Sequence, residues 1–306
     1  MDRRRTLGFL GAACAAAALP LRAQTAAPAR TATVERTVPA SGERIPVVGL
    51  GTWLTFDVGA EDTPARRARG DVLRAFLAAG GRMVDSSPMY GSSEAVIGAE
   101  LAHGAPARLF SATKVWTVGS LAGRRQMEHS RSLWRLARFD LMQVHNMLDW
   151  QAHWPLLREM KAAGRARHIG MTTSHGRRHD DLEAIMNRER PDFVQFTYNL
   201  NDRDVEARLL PLAAERGIAV IVNRPFDGGA LFGAKTARAL PGWAAELGCR
   251  SWAEAFLKWI AAHPTVTCAI PATSKVAHLQ ENMRALAGPL PDAALRRRMS
   301  EDYARA

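Results

Sequence analysis

Residues 82–91 read Arg82-Met83-Val84-Asp85-Ser86-Ser87-Pro88-Met89-Tyr90-Gly91, and Ser93–Leu101 follows with apolar residues near the 3.6-residue period. A short run ending in Asp, Ser and Pro, then an amphipathic stretch, is the pattern of a strand, a turn and a helix. The same unit recurs along the chain. Short apolar runs lie at Val47–Trp53, Arg82–Ser87, Leu109–Val115, Leu141–Asn146, His168–Thr173, Phe193–Asn199, Ala219–Pro225 and Thr267–Thr273. Helical patterns lie between and after them, at Asp71–Ala79, Ser93–Leu101, Gln126–Ala137, Trp154–Ala163, Asp180–Arg188, Val205–Arg216, Trp252–Ala262 and Val276–Leu286. Strands alternating with helices predict parallel strands joined by crossover helices. Eight units in roughly 240 residues predict a closed (β/α)8 barrel in one α/β domain. A doubly wound open sheet is the rival, but the first strand–helix turn carries Gly49-Leu50-Gly51 without the full glycine fingerprint.

Outward from the barrel, Arg36–Pro39 and Arg44–Pro46 flank a Ser41-Gly42 turn, which predicts an N-terminal hairpin closing the barrel bottom. The connection after the seventh strand is long, with Gly228-Gly229 and a predicted extra helix around Gly242–Leu247. The tail after Leu290 reads as short and basic. Residues 1–23 pair a basic start (Arg3, Arg4, Arg5) with an Ala-rich apolar run and small residues around Ala23. That is the shape of an export signal. Arg4-Arg5-Thr6-Leu7 resembles the twin-arginine pattern, so an exported, periplasmic product is expected. Residues 24–40, rich in Ala, Thr, Arg and Pro, read as a linker, and 41–306 as the barrel.

With 306 residues, 47% hydrophobic and 23% charged, the chain is neither disordered nor collagen-like. The +11 net charge is spread through Ala- and Leu-rich helical stretches, not clustered with aromatics, so no nucleic-acid partner is expected. Cys14, Cys249 and Cys268 form no zinc or CxxC spacing, and no metal site is expected. Whether Cys249 and Cys268 pair is left open.

Four titratable residues fall at or just beyond successive strand ends: Asp85, Tyr90, Lys114 and His145. Consecutive barrel strands are neighbours, so the four converge on one side of the mouth. A tyrosine has an ordinary pKa near 10. A neighbouring lysine ammonium is expected to lower it, with the aspartate keeping the lysine charged and a neutral histidine positioning a substrate oxygen. Such a set can protonate a carbonyl under reduction. No side chain supplies hydride, so a nicotinamide cofactor is implied.

These segments resemble the aldo/keto reductase family over about residues 44–287. Val84–Gly91 is similar to its Asp-(Thr/Ser)-Ala-x-x-Tyr-Gly segment, with Ser87 where Ala is usual. Ser111–Trp116 is similar to the lysine segment, and Leu141–His145 to the histidine strand. The resemblance implies that Tyr90 is the acid, that Lys114 and Asp85 tune it, and that His145 orients the carbonyl. It implies NADP(H), with NAD(H) as the second option, across the mouth. Gly51 and Thr52 would lie at the first strand end, with Trp53 and Trp116 walling the substrate pocket.

For the cofactor the resemblance points to Thr172, Thr173 and Gln195 beside the nicotinamide amide. Arg224, Pro225 and Phe226 follow the seventh strand, where Asn223 takes the place of a stacking Tyr. Thr273, Ser274, Lys275 and His278 would meet the adenosine phosphate, and Glu281 and Asn282 the adenine. His278 stands where Arg is frequent. The rival reading is a nucleotide-binding redox sensor with little turnover, for which the departures at Thr173, Asn223 and His278 speak.

Overall fold

The computed structural model describes residues 33–102 and 104–305. The expected export signal lies outside them. Strands β1 (Glu35–Thr37) and β2 (Arg44–Pro46) form the antiparallel hairpin, in register Arg36 to Ile45. Gly42, at φ +71°, makes the turn, and Val38 N–H donates to Glu43 O at 2.7 Å. The expected linker therefore ends earlier than residue 40. Its last residues are drawn into the fold by strand pairing and by Val38, which is fully buried.

Eight parallel strands follow in sequential order: β3 (Leu50–Gly51), β4 (Met83–Asp85), β5 (Phe110–Val115), β6 (Phe139–Val144), β7 (Ala166–Thr172), β8 (Phe193–Thr197), β9 (Ala219–Asn223) and β10 (Val266–Ala269). First and last edges join. Ala269 N–H donates to Val47 O, Gly49 N–H to Ala269 O and Gly51 N–H to Pro271 O, at 2.8, 2.8 and 3.0 Å. A Cβ on Gly51 would stand 2.6 Å from Ile270 O, so this closure requires glycine there.

The helices are α1 (Thr63–Ala78), α2 (Ser93–Leu101), α3 (Ser120–Trp134), α4 (Trp150–Ala162), α5 (His179–Glu189), α6 (Leu209–Arg216), the short α7 (Trp243–Glu246), α8 (Trp252–Ala261), α9 (Val276–Arg284) and α10 (Ala293–Arg305). Helix α1 starts eight residues before the expected Asp71, because the Asp62 carboxylate caps it by accepting from Ala65 N and Pro64 fits its first turn. The tail read as merely basic is helix α10. Its Met299 and Tyr303, four residues apart, are buried. Arg296 holds it down, its guanidinium 4.0 Å from the Trp259 ring centroid and bonded to Glu206 Oε1 at 2.7 Å.

Strand periodicity divides each strand between two cores. Met83, Phe110, Ala112, Leu141, Phe193, Ala219, Ile221 and Cys268 fill the barrel interior with Val38 and Ile45 of the hairpin. Val84, Val115, Met142, Val144, Val194 and Val220 face the helices. Apart from His168, which packs against Phe110 and Phe193, the interior layer is apolar and stops below the carboxyl ends. Continuing each inward-facing series by two residues reaches Asp85 on β4, Lys114 on β5, Gln143 on β6 and then His145 just beyond it, and Gln195 on β8. Below the apolar layer, Glu43 of the hairpin turn binds Arg82 and Arg167, each at 2.5 Å, and Arg167 binds Asp140 at 2.8 Å. The hairpin thus seals the bottom.

Candidate active site

Lys114 is fully buried at the carboxyl end of β5. Its Nζ donates to Asp85 Oδ2 at 2.5 Å and to Ser86 O at 2.9 Å, and it stands 5.2 Å from the Tyr90 ring centroid. Burial alone would lower the lysine's pKa. The adjacent Asp85 carboxylate and Tyr90 outweigh it and hold Lys114 above the ordinary lysine value. The other carboxylate oxygen, Asp85 Oδ1, accepts from Gln143 Nε2 at 3.2 Å and Gln195 Nε2 at 3.1 Å. A carboxylate only accepts, so both amides must turn their nitrogens toward it.

Tyr90 ends a single 3-10 turn, Pro88–Tyr90, which Ser87 starts by accepting from Met89 N–H. The turn folds the phenol back over Lys114. Its ring meets the His145 ring edge-on, with centroids 5.6 Å apart. Asp85, Tyr90, Lys114 and His145 therefore come together as the sequence implied. The titration of Tyr90 does not follow that expectation. Lys114 pulls its pKa down, but burial is the larger effect and leaves the phenol above its ordinary value. Burial, then the Lys114 charge, pushes His145 well below 6.5. At neutral pH the set is a charged lysine, a protonated phenol and a neutral imidazole. His145 Nδ1 lies 2.8 Å from Ser87 Oγ.

Above these groups opens a cavity of about 680 Å³, of the size that small-molecule sites have. Asp85, Tyr90 and His145 line its floor, and its wall includes Gly51, Thr52, Trp53, Thr172, Gln195, Arg224, Pro225 and Phe226. Thr273, His278, Glu281 and Asn282 continue the lining along the last loop and α9. Thr52 Oγ1 ties the first loop down, 3.0 Å from Asp85 O. The indole of Trp53 meets His175 edge-on at 6.4 Å and faces the Arg224 guanidinium at 5.9 Å. Leu54, Asn146, His175 and Arg224, all lining the cavity, adopt positive φ without being glycine, a concentration of backbone strain typical of functional loops.

Besides Lys114, buried beneath the floor, four expected residues stand apart from this lining. Trp116 is 41% exposed and not among the lining residues, and its backbone N–H and O both bond the Gln126 side chain. Thr173 turns its hydroxyl to Arg177 O within its own loop. Ser274 is half-buried and Lys275 exposed at the start of α9, where Lys275 N–H donates to Thr273 Oγ1 at 3.1 Å. Asn223 lines the cavity, but its amide is held on both sides: Oδ1 accepts from Thr197 Oγ1 at 2.7 Å and Nδ2 donates to Thr173 O at 2.8 Å. Sequence reasoning missed Gln143, His175 and Arg177. Gln143 had a signal, since it sits two residues before His145 on the same strand face. The loop residues had none.

Comparison with known proteins agrees with this fold. The model of the aldo/keto reductase family matches residues 47–298. Methylglyoxal reductase YeaE of Escherichia coli is 26% identical over 262 residues, covering 82% of this chain and 89% of that protein. The NADH-specific methylglyoxal reductase of the same organism is 29% identical over 228 residues, covering 64% and 68%. Among solved structures, an aldo-keto reductase from Klebsiella pneumoniae in complex with NADPH superposes with a TM-score of 0.75 at 24% identity, over 88% of this chain and 95% of that one. An aldo-keto reductase from Bacillus halodurans gives 0.72 at 21% identity, over 89% and 96%. A barrel of eight parallel strands with Asp85, Tyr90, Lys114 and His145 at its mouth, matched by the family model over residues 47–298, makes this chain a member of the aldo/keto reductase family, an NAD(P)-dependent oxidoreductase.

Proposed function

We propose that the chain reduces an aldehyde or ketone to the alcohol, using NADP(H) and a proton from Tyr90. The observation that carries this reading is the Lys114 ammonium, fully buried between Asp85 and the Tyr90 ring, both of which line the cavity floor. A lone buried charge there would be costly. Asp85 compensates it, and the remaining positive field falls on the one phenol that faces the cavity.

The donor set suits a nicotinamide dinucleotide. Gln195 and Thr172 lie beside the tetrad. Arg224 and the more exposed Arg177 offer guanidinium groups in mid-cavity. Thr273, His278, Glu281 and Asn282 line its outer arm, with Lys275 at the start of the same helix. A cation beside that arm, Lys275, favours a phosphorylated ribose, which supports NADP(H) over NAD(H). The bound nicotinamide supplies hydride to the carbonyl carbon. Neutral His145 orients the carbonyl oxygen by a hydrogen bond. Tyr90 donates its proton to that oxygen as negative charge develops, and Lys114 stabilises the phenolate left behind. A phenol held above its ordinary pKa stays protonated and ready, and the field of Lys114 acts when charge appears.

Fluorescence titration of residues 24–306 with NADPH and NADH tests the reading, with Trp53 as the reporter. We expect micromolar NADPH binding and oxidation of NADPH by small aldehydes or ketones. Binding without turnover across a carbonyl panel would instead support a nucleotide sensor. Tighter binding of NADH by tenfold would reverse the cofactor choice. We further propose that residues 1–23 direct twin-arginine export of the folded protein to the periplasm, on the strength of the Arg4-Arg5 pattern. Cell fractionation of an Arg4→Lys/Arg5→Lys double variant should show the product retained; unchanged export would refute it.

A further inference from the structure

Ser87 occupies a place that the proposed mechanism has not used. It is fully buried, and its Oγ lies 2.8 Å from His145 Nδ1. The same oxygen accepts from Met89 N–H at 3.2 Å, the bond that starts the turn carrying Tyr90. A hydroxyl has one proton to give. Among the described residues the acceptor within reach of the Ser87 proton is His145 Nδ1. Were Nδ1 itself protonated, Ser87 would accept twice and its own proton would be buried without a partner. That arrangement is the costlier one. With Nδ1 accepting, the single proton of the neutral imidazole sits on Nε2. No described residue bonds Nε2, and the ring lines the cavity.

We propose that Ser87 is a positioning residue that fixes the tautomer of His145, so that Nε2–H is the donor presented to the substrate's carbonyl oxygen. A neutral imidazole in the opposite tautomer would offer that oxygen a lone pair and repel it. One buried hydroxyl thereby coordinates two parts of the site. It starts the turn that delivers the acid Tyr90, and it sets the polarity of the group that holds the oxygen to be protonated. An alanine here would keep the fold's shape and lose both bonds. The proposal rests on the reductase reading for its kinetic consequence, but the tautomer itself is independent of turnover.

The test is 15N NMR of histidine-labelled protein at pH 7, with His145 assigned by its loss in His145→Gln. In the wild-type chain we expect His145 to show a protonated Nε2 and a bare, hydrogen-bonded Nδ1. In Ser87→Ala that preference should collapse to a mixture. In the same variant kcat/KM for carbonyl reduction should fall about tenfold, with the Kd for NADPH unchanged. A wild-type His145 protonated on Nδ1 overturns the proposal without any variant. So does a Ser87→Ala enzyme whose tautomer is unaltered, whatever its rate. Should the wild-type chain reduce no carbonyl, the reductase reading falls while the NMR result still decides the role of Ser87.

Discussion

The two ends of this barrel each carry a charged cluster, and the clusters are built on different principles. At the bottom, Glu43 binds two arginines, and Arg82 is further spent on the carbonyls of Arg44 and Arg108 at 2.6 and 2.8 Å. Burial raises the Glu43 pKa, but its bonds to Arg82 and Arg167 win and hold it below the ordinary value. The charges there are partly open to solvent and facing a hairpin that caps them. At the mouth, one ammonium and one carboxylate are buried outright, and the carboxylate and the phenol beside the ammonium line a cavity. Charge satisfied toward protein holds elements together. Charge satisfied on one side and directed at a cavity is available for chemistry. Between the two lies the apolar layer of Phe110, Leu141, Phe193 and Ile221, which insulates one cluster from the other.

If that division is right, the largest effect belongs to the mouth. Lys114→Met should abolish carbonyl reduction and also cost about 3–5 kcal/mol of stability, because it leaves the Asp85 carboxylate buried without its counter-charge. Urea unfolding alongside activity checks both halves, and a stable variant would show that Asp85 finds compensation from Gln143 and Gln195 alone. Tyr90→Phe separates chemistry from structure. It should lower kcat by about a hundredfold or more while leaving NADPH affinity and the unfolding midpoint near wild type. Full turnover in this variant would remove Tyr90 from the role of acid.

The contrast between the ends also explains what the sequence disclosed. The eight runs and the tetrad were legible because strand geometry is periodic. Once Phe110 and Ala112 are inside, Lys114 must be inside as well, and Asp85 follows from Met83 in the same way. The direction of a loop has no such rule. Trp116 follows Lys114 by two residues, yet it is not among the cavity-lining residues, and its backbone is held by Gln126, ten residues on. Helix α10 was hidden because Arg296, Arg297, Arg298 and Arg305 mask the spacing of Met299 and Tyr303. The sense of the Tyr90 shift was also out of reach. Neighbouring charge can be inferred from which strand ends adjoin, whereas burial depends on how the 3-10 turn packs.

A smaller effect is expected at the bottom. Glu43→Gln keeps the shape of the side chain and removes its charge from between Arg82 and Arg167. Because those groups are partly exposed, the loss should be no more than about 1 kcal/mol, read as a lowered unfolding midpoint. The kcat of the variant should match wild type, since the apolar layer separates the hairpin from the tetrad. A parallel loss of activity would mean that the hairpin holds the strands in the register the mouth requires.

Two histidines sharpen the comparison once more. His145 at the mouth is neutral and bonded to Ser87. His168 lies deeper, stacked on Phe110 with centroids 6.1 Å apart and edge-on to Phe193 at 5.4 Å, and neither ring nitrogen has a hydrogen-bond partner. Burial lowers the His168 pKa despite the attraction of Asp192. A histidine depressed in the folded state contributes stability that is fully present above its unfolded value near 6.5. That stability is lost as pH falls from there toward the folded value, because the unfolded chain takes up the proton first. His168→Phe keeps the stack and removes the titration. Unfolding followed from pH 7.5 to pH 5 should therefore fall less steeply in the variant than in the wild-type chain. Equal slopes would place the acid sensitivity elsewhere, with His145 the first residue to test, and would mean that the barrel interior admits a proton beside Asp192 at little cost.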